Sequence, residues 1–262
     1  MKQNKITFEP FLKFNIIFYN EIEALIILSE KLNVEKEILS DEKSILHEAF
    51  LVKLAAEWEF YCHCILAYCI SLNTQNLSRE LHLNLPQKIG FNNAYAILNG
   101  VNFISIKGVD DLISKSKKYI CTENNPFIKV DRKTLKNLDT ILTFRNYIAH
   151  QSLTSKERLN KFYSSKNLKF MKPGDYLLMN YDKDNYSNCR ALFAALATLS
   201  TEIWKILDLT SYNFVYGEYE TLEASLSEQP DSSDKFETLK EEFFKAIRKM
   251  ESVFALLENH VK

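Results

Sequence analysis

Helix-breaking residues are scarce in this chain, and their scarcity restricts the folds it can adopt. Only five glycines and five prolines occur among 262 residues, so long polar and apolar stretches run on without a helix breaker. This scarcity argues against a glycine-rich phosphate loop, a dinucleotide-binding fingerprint or a turn-dense β-sandwich. Hydrophobic residues make up 46% and charged residues 26%, which is an ordinary globular profile. The sequence therefore predicts an all-α protein.

Apolar periodicity predicts where the helices of this fold lie. A first helix is expected from a capping box at Asn20–Glu23 to about Leu32. A longer helix, apolar on most sides, runs from Ser40 to about Leu72 and would be the central helix of a bundle. Further elements are predicted in the second half: a helix at 109–120, one opened by Asp131, a short basic helix at 155–164, a hairpin around 171–176, and a helix at 188–209.

The C-terminal part is interpreted as an extension of this bundle. A linker-like stretch, SEQPDSSD, precedes a second capping box at Asp234–Glu237, after which apolar residues recur at alternating spacings of three and four. Such a helix can form a coiled coil with a partner chain or fold back on its own bundle. The sequence predicts a helical domain over 1–210 and an extension over 211–262 whose long amphipathic helix packs on the bundle or on a partner.

Charge, hydropathy and cysteine usage restrict the compartment and the partners. The formal net charge of −1 gives no global basic field for nucleic acid, so RNA would need a local patch. Glu9 and Pro10 interrupt what would be a signal-peptide core, and the longest apolar runs are shorter than the ~20 residues of a bilayer span. Five irregularly spaced cysteines suit a reducing compartment. We expect a cytoplasmic protein without membrane contact.

The stretch YCHCILAYC looks like a metal-binding cluster, but helix geometry argues against it. Cys62 and Cys64 would project about 200° apart on a helix and cannot bind one ion together. Both are interpreted as small buried hydrophobic residues, and neither a metal nor a cofactor is predicted. Four histidines are interpreted as structural or surface residues: His47, His63, His82 and His260.

The stretch LTFRNYIAH at 142–150 brings together three polar groups suited to cleaving a phosphodiester. Asn146 and His150 would lie about 40° apart around a helix and share a face. Arg145 would lie about 140° from His150, yet its long side chain can reach the same edge. Apolar residues on the other side would anchor this helix in the core.

These three groups can cleave RNA without a metal. Histidine can move a proton near neutral pH, and arginine can stabilise the charge that develops on phosphate oxygens. Asparagine can hold either neighbour in place, and RNA supplies its own nucleophile, the 2′-OH. Spacing alone is a weak indication, since an arginine and a histidine five residues apart on a helix often occur by chance.

The same stretch resembles the signature of the HEPN superfamily (higher eukaryotes and prokaryotes nucleotide-binding). That signature has an arginine, four to six residues and a histidine, with a polar residue directly after the arginine. Arg145, Asn146 and His150 match it, and Ala149 precedes the histidine as in many members. The order of a long apolar helix, an irregular middle, a motif helix and another amphipathic helix is also similar, over roughly residues 20–210.

A second similarity lies upstream, in AAEWEFYCHCILAYC. It resembles the Trp-Glu-aromatic helix of one prokaryotic HEPN branch, through Trp58, Glu59 and Phe60. Glu59 is the supporting site residue in this interpretation, because it could pair with Arg145 or tune His150. It could equally be a solvated residue on a bundle helix.

The resemblance implies a fold, an activity and an assembly. HEPN proteins are up-and-down helical bundles, and many are metal-independent endoribonucleases of toxin–antitoxin, abortive-infection and CRISPR-linked defence. They commonly dimerise, so that two motif helices build one composite site. Carried over, His150 would handle protons, Arg145 would stabilise the phosphate and Asn146 would orient them, leaving a 2′,3′-cyclic phosphate and a 5′-OH. The implied partners are an RNA substrate, a second copy of the chain, and a cognate antitoxin or defence-system protein.

One departure from the family concerns its regulation. A toxin branch carries a tyrosine two residues after the histidine, where a nucleotidyltransferase partner modifies it. Ser152 occupies that position here, so this mode of control is not expected.

Residues 156–172 form a predicted RNA-binding segment. Six basic residues face the single acid Glu157, with Phe162, Tyr163 and Phe170 interleaved. Such a segment could hold an RNA backbone and stack bases, and a solvated basic face would give the same pattern. The predicted RNA contacts are Lys156, Arg158 and Lys161.

Three functions remain open at this point. The first is a homodimeric HEPN ribonuclease of a toxin or defence system. The second is a catalytically silent HEPN-fold module that only binds RNA, nucleotides or a protein, and the third is a helical scaffold assembled through its terminal helix. The intact Arg-Asn-x-x-x-His favours the first, because members that only bind often lose it, whereas the terminal apolar pattern favours the third.

Overall fold

The computed structural model of the chain describes residues 9–100, 106–179, 187–203 and 206–207. Helices account for nearly all of the regular structure in these ranges, and no β-strand occurs within them. The prediction of an all-α protein is confirmed for the described residues. The predicted extension at 211–262, with its capping box at Asp234–Glu237, lies outside the described residues.

The helices are numbered here in chain order, with two short 3-10 turns between α5 and α6. Their bounds are α1 Glu9–Val34, α2 Ser40–Leu72, α3 Gln75–Leu81, α4 Phe91–Gly100, α5 Val109–Tyr119, α6 Arg132–His150, α7 Leu153–Ser165, α8 Pro173–Leu178 and α9 at 188–203.

Helix α2 is the central helix, as its composition predicts. Every residue from Tyr61 to Ser71 is buried, because a helix that is apolar on all sides must be covered on all sides. Helices α1, α4, α5, α6 and α8 all pack against it. The site described below lies where α6 crosses this central helix.

Aromatic side chains fill the contact between α1 and α2. The rings of Phe18 and Tyr61 stack with centroids 4.3 Å apart, and Trp58 beside them is fully buried. The Tyr61 hydroxyl donates to the backbone oxygen of Ser200 at 3.3 Å, which ties α9 to the same core. This packing fixes the turn of α2 that carries Glu59.

The predicted capping box at Asn20–Glu23 is wrong, because α1 has already begun by Glu9 and passes through Asn20. Phe18 and Tyr19 are buried and extend the apolar stripe upstream of the supposed start. Asn20 is exposed, so a poor helix former is tolerated there at little cost.

The predicted hairpin around 171–176 is also wrong, since this stretch forms α8. Pro173 lies in the first turn of α8, where a missing N–H and a fixed φ are compatible with a helix. Gly174 approaches α2 so closely that a Cβ there would overlap Ser44, and its N–H donates to Glu48 Oε1 at 3.0 Å. The Pro-Gly pair thus serves helix entry and close packing instead of a turn.

Within the described residues, none of the helices combines the length and apolar character that crossing a bilayer requires.

Candidate functional site

The motif helix ends in a tight junction with the helix that follows it. Helix α6 ends at His150 and α7 begins at Leu153. Gln151 adopts a left-handed φ of 44°, and its N–H donates to the Tyr147 oxygen at 2.8 Å. Ser152 then caps α7 by accepting from the Ser155 N–H at 3.2 Å. The junction places His150 at the rim of a helical hairpin.

Arg145 lies between two oxygen acceptors, one on α2 and one on its own helix. Its Nη2 forms an ion pair with the Glu59 carboxylate, and its Nη1 donates to Asn146 Oδ1 at 2.9 Å. The Arg145 and Glu59 side chains are only 22% and 16% exposed. A guanidinium held by two acceptors in this way has a defined orientation.

The imidazole of His150 is exposed to solvent. It follows Asn146 by one helical turn, so both side chains project from the same face of α6. In the part of the chain that the structure describes, no hydrogen bond joins His150 to Arg145, Asn146 or Glu59. The structure thus joins three of the predicted site residues directly and places the fourth one turn away, open to a ligand.

The Trp-Glu-aromatic stretch divides its three side chains among three environments. Trp58 is buried in the α1–α2 core, Glu59 pairs with Arg145, and Phe60 is 45% exposed. Of the arrangements considered for Glu59, the ion pair with Arg145 is the one the structure shows. Glu59 and Arg145 are 86 residues apart in the sequence, and the apolar periodicity of neither helix indicates that the two side chains meet.

The predicted RNA-binding segment forms a solvent-exposed basic surface on α7 and the loop after it. Its only acid, Glu157, is also exposed. The six exposed basic residues of this basic surface are Lys156, Arg158, Lys161, Lys166, Lys169 and Lys172.

The interleaved aromatic residues of this segment differ in exposure, which corrects one expectation. Tyr163 is fully buried and cannot stack on a base, because α7 turns this side toward α6. Phe162 is partly buried against the core, and only Phe170 is clearly exposed, at 42%.

Beneath the basic surface, α6, α7 and α8 share an aromatic cluster. The ring of Phe144 meets those of Phe162 and Tyr163 edge to face, at 5.1 and 5.9 Å between centroids. Burial raises the pKa of Tyr163 above its usual value. Tyr176 joins the cluster from α8, 5.1 Å from Phe144. This packing holds the motif helix and the basic helix as one unit.

Two histidines outside the motif are structural, as expected. His47 is fully buried; its Nδ1 donates to the Lys43 oxygen at 2.8 Å, so its Nε2 accepts from the Ser29 hydroxyl at 3.3 Å. His63 is buried against the Tyr95 ring, with centroids 4.5 Å apart. Burial lowers the pKa of both histidines.

His82 lies at the exposed C-terminal end of α3 with a left-handed φ of 52°. It is a surface residue, as expected, whereas His260 lies outside the described residues.

The cysteines behave as buried hydrophobic residues. Cys62 and Cys64 are both buried, and burial raises the pKa of Cys64 to about 12. Across the described ranges, no three His, Cys, Asp or Glu side chains are grouped so that they could hold a metal ion.

No protein-family model matches the chain, and no curated protein or solved structure shows significant similarity to it.

Proposed function

We propose that this protein is a metal-independent endoribonuclease of the HEPN type that acts in toxin–antitoxin or anti-phage defence. The observation that carries the proposal is the arrangement on α6. The guanidinium of Arg145 is held in place by Glu59 and Asn146. The exposed imidazole of His150 follows it by little more than one helical turn. A proton carrier and an oriented phosphate ligand are the two groups that cleavage by the 2′-OH needs.

The order of the helices supports the same proposal. The apolar α2 carries Glu59, a segment of short helices follows, and α6 then packs back against α2 with its motif residues. Helix α9 follows at 188–203, where the resemblance to HEPN proteins leads us to expect another amphipathic helix.

In the proposed reaction, the 2′-oxygen attacks the adjacent phosphorus while a base removes its proton. The bond to the 5′-oxygen breaks, and an acid protonates that oxygen, leaving a 2′,3′-cyclic phosphate and a 5′-OH. One protomer supplies one motif imidazole, whereas the step uses a base and an acid together. Two-fold pairing of α6 helices would supply both, and the position of His150 at an exposed rim is compatible with such pairing.

Arg145 contributes by stabilising the charge on the non-bridging phosphate oxygens. Its ion pair with Glu59 leaves guanidinium N–H groups for a phosphate, because arginine has five donors. Asn146 restrains the guanidinium plane from the same helix. A phosphate at this point would therefore meet an oriented donor set.

The test is cleavage of mixed tRNA and mRNA by the full-length protein in excess EDTA. We expect cutting by the wild type and a loss of at least ~100-fold in a folded His150→Ala variant. His82→Asn is the matched control, because it removes another exposed histidine and asparagine tolerates a left-handed φ. Cutting that survives in His150→Ala, or a wild type that neither cuts RNA nor arrests growth on induction, would overturn the proposal.

One observation favours a second candidate, a catalytically silent HEPN-fold module that binds RNA or protein. Arg145 is already neutralised by Glu59, and no described hydrogen bond links it to His150. RNA binding by the wild type without any product, in EDTA and in cells, would select this alternative.

A further inference from the structure

We propose that Phe170 is a stacking platform for one unpaired base of single-stranded RNA, and that Lys156 binds the phosphate next to that base. The subsite would adjoin His150 and therefore rests on the proposed function, whose substrate it specifies. Four side chains define it, here called the Phe170 subsite: Tyr147, Lys156, Tyr163 and Phe170.

The Phe170 ring is exposed yet fixed in orientation. It is 42% exposed, while Tyr147 and Tyr163 contact it edge to face at 5.9 Å, with interplanar angles of 81° and 85°. Contacts with two neighbouring rings restrain the orientation of the Phe170 ring. A flat apolar surface that is already ordered loses little entropy when a base stacks on it.

A cation accompanies this ring. Lys156 Nζ lies over the Phe170 ring, 5.5 Å from its centroid, and the residue is exposed. Because the side chain is long and flexible, its ammonium can move off the ring when a base stacks there and contact the phosphate of that nucleotide. Arg158 and Lys161 are exposed elsewhere on α7, and Arg158 projects about 200° from Lys156 around the helix.

The subsite is linked to His150 through Tyr147. Tyr147 precedes His150 by three residues on α6, which places them about 60° apart and ~4.5 Å along the helix axis. A base on Phe170 would thus belong to a nucleotide close to the phosphate at His150.

The chemistry of the surface favours single-stranded RNA over other occupants. Six exposed basic residues against one acid match a polyanion. An acidic peptide would bind through ion pairs with the basic residues alone, and its binding would not require the exposed ring of Phe170. A duplex keeps its base faces stacked inside and cannot offer one to Phe170.

The test measures RNA binding in a His150→Ala background in excess EDTA, by fluorescence anisotropy of a short labelled oligoribonucleotide. Phe170→Leu keeps apolar volume but removes the aromatic face, and it should weaken single-strand binding by roughly 5- to 100-fold. Phe170→Tyr keeps the ring and should bind within about twofold of its parent. Leu153→Ala, which removes an exposed apolar side chain from α7, is the control and should have no effect.

Lys156→Ala provides an independent measurement. It should reduce the slope of log Kd against log salt by about one unit and weaken single-stranded and duplex RNA alike. Phe170→Leu should instead leave duplex binding and the salt slope unchanged.

Several results would overturn the subsite. They are a Phe170→Leu variant that binds single strands like its parent, equal losses for single strands and duplex, or displacement of the RNA by an acidic peptide but not by an unlabelled single strand. Cleavage assays with the wild-type histidine run in parallel. If Phe170→Leu weakens single-strand binding but the wild type does not cleave RNA, only the proposed ribonuclease activity is refuted. If the wild type cleaves RNA and Phe170→Leu neither binds nor cleaves it less well, only the subsite is refuted.

Discussion

At the scale of single residues, the site depends on a half-buried ion pair. Glu59 and Arg145 are largely withdrawn from water, so each charge relies on the other to offset its lost hydration. Asn146 adds a neutral acceptor at 2.9 Å. The pair therefore has both a structural and a proposed catalytic role, and the two roles can be measured separately.

Glu59→Gln should lower the free energy of unfolding by about 1–2 kcal/mol, because it leaves the Arg145 cation half-buried without a counter-charge. A double-mutant cycle of Glu59→Gln with Arg145→Met, followed by urea denaturation, measures the coupling. A coupling energy near zero would contradict a stabilising ion pair.

Arg145→Lys should reduce RNA cleavage at least ~10-fold while preserving the charge, because an ammonium cannot present the planar fork of a guanidinium. Initial rates in EDTA measure the effect. Lys136→Ala, an exposed change elsewhere on α6, should leave the rate unaltered, and an Arg145→Lys enzyme of wild-type rate would show that fork geometry is irrelevant.

The buried histidines should make stability depend on pH. His47 and His63 have lowered pKa values in the folded state, so below the unfolded pKa of about 6.5 the unfolded chain binds protons that the native state does not. Stability is then fully present above pH ~6.5 and falls on acidification, by up to ~1.4 kcal/mol per pH unit for each histidine.

Urea midpoints between about pH 7.5 and 5.5 measure this dependence on either side of the histidine pKa. His63→Gln removes one of the two groups and should give a shallower slope. An identical slope in this variant would refute the role of His63.

At the scale of elements, periodicity predicts helices well where the core decides their faces. The predicted bounds of α2 and α5 agree with the structure, and α6 begins one residue after Asp131. The start of α1 and the nature of α8 could not be predicted. Pro-Gly is ordinarily a turn signal, and only contact with Ser44 on another helix explains Gly174.

The candidate site shows the same division between local and long-range information. The one-turn spacing of Asn146 and His150 follows from helix geometry alone. The ion pair of Arg145 with Glu59, and the burial of Tyr163 under the basic surface, depend on how distant helices pack. The described residues Tyr147 and Phe144 also escaped the sequence interpretation, although each lies on the motif helix.

Gly174→Ala should destabilise the protein by about 1–3 kcal/mol, because its Cβ would overlap backbone and side-chain atoms of Ser44 in a packed interface. Gly100→Ala is the control, since a Cβ there meets nothing within 4 Å. Thermal unfolding compares the two variants. Equal melting temperatures would mean that α8 can shift away from α2 at no cost.

At the scale of the whole molecule, the net charge is small, but basic residues are concentrated in one segment. The chain carries a formal net charge of −1, yet one exposed segment holds six basic residues and one acid. Attraction of a polyanion to that surface alone would orient it before contact. The proposed substrate would therefore approach from the side on which α7 lies.

Assembly gives a prediction at this scale. Wild-type subunits are mixed with an equal amount of His150→Ala subunits. If both protomers contribute to one site, the mixture should have about a quarter of the activity of the same total amount of wild-type protein, because only pairs of two wild-type subunits are active. Co-refolding the subunits and measuring initial rates tests this. Retention of half the activity would indicate sites that are complete within a single chain.

The two-residue connection between α6 and α7 leaves almost no slack. Gln151 adopts a left-handed turn and Ser152 caps α7. The ring of Phe144 on α6 packs against those of Phe162 and Tyr163 on α7. A ligand bound by α7 is consequently held at a fixed distance from the imidazole of His150. Substitutions on α7 would change which ligand binds there. Insertion of a single residue at 151–152 would instead change the position of that ligand relative to the imidazole of His150.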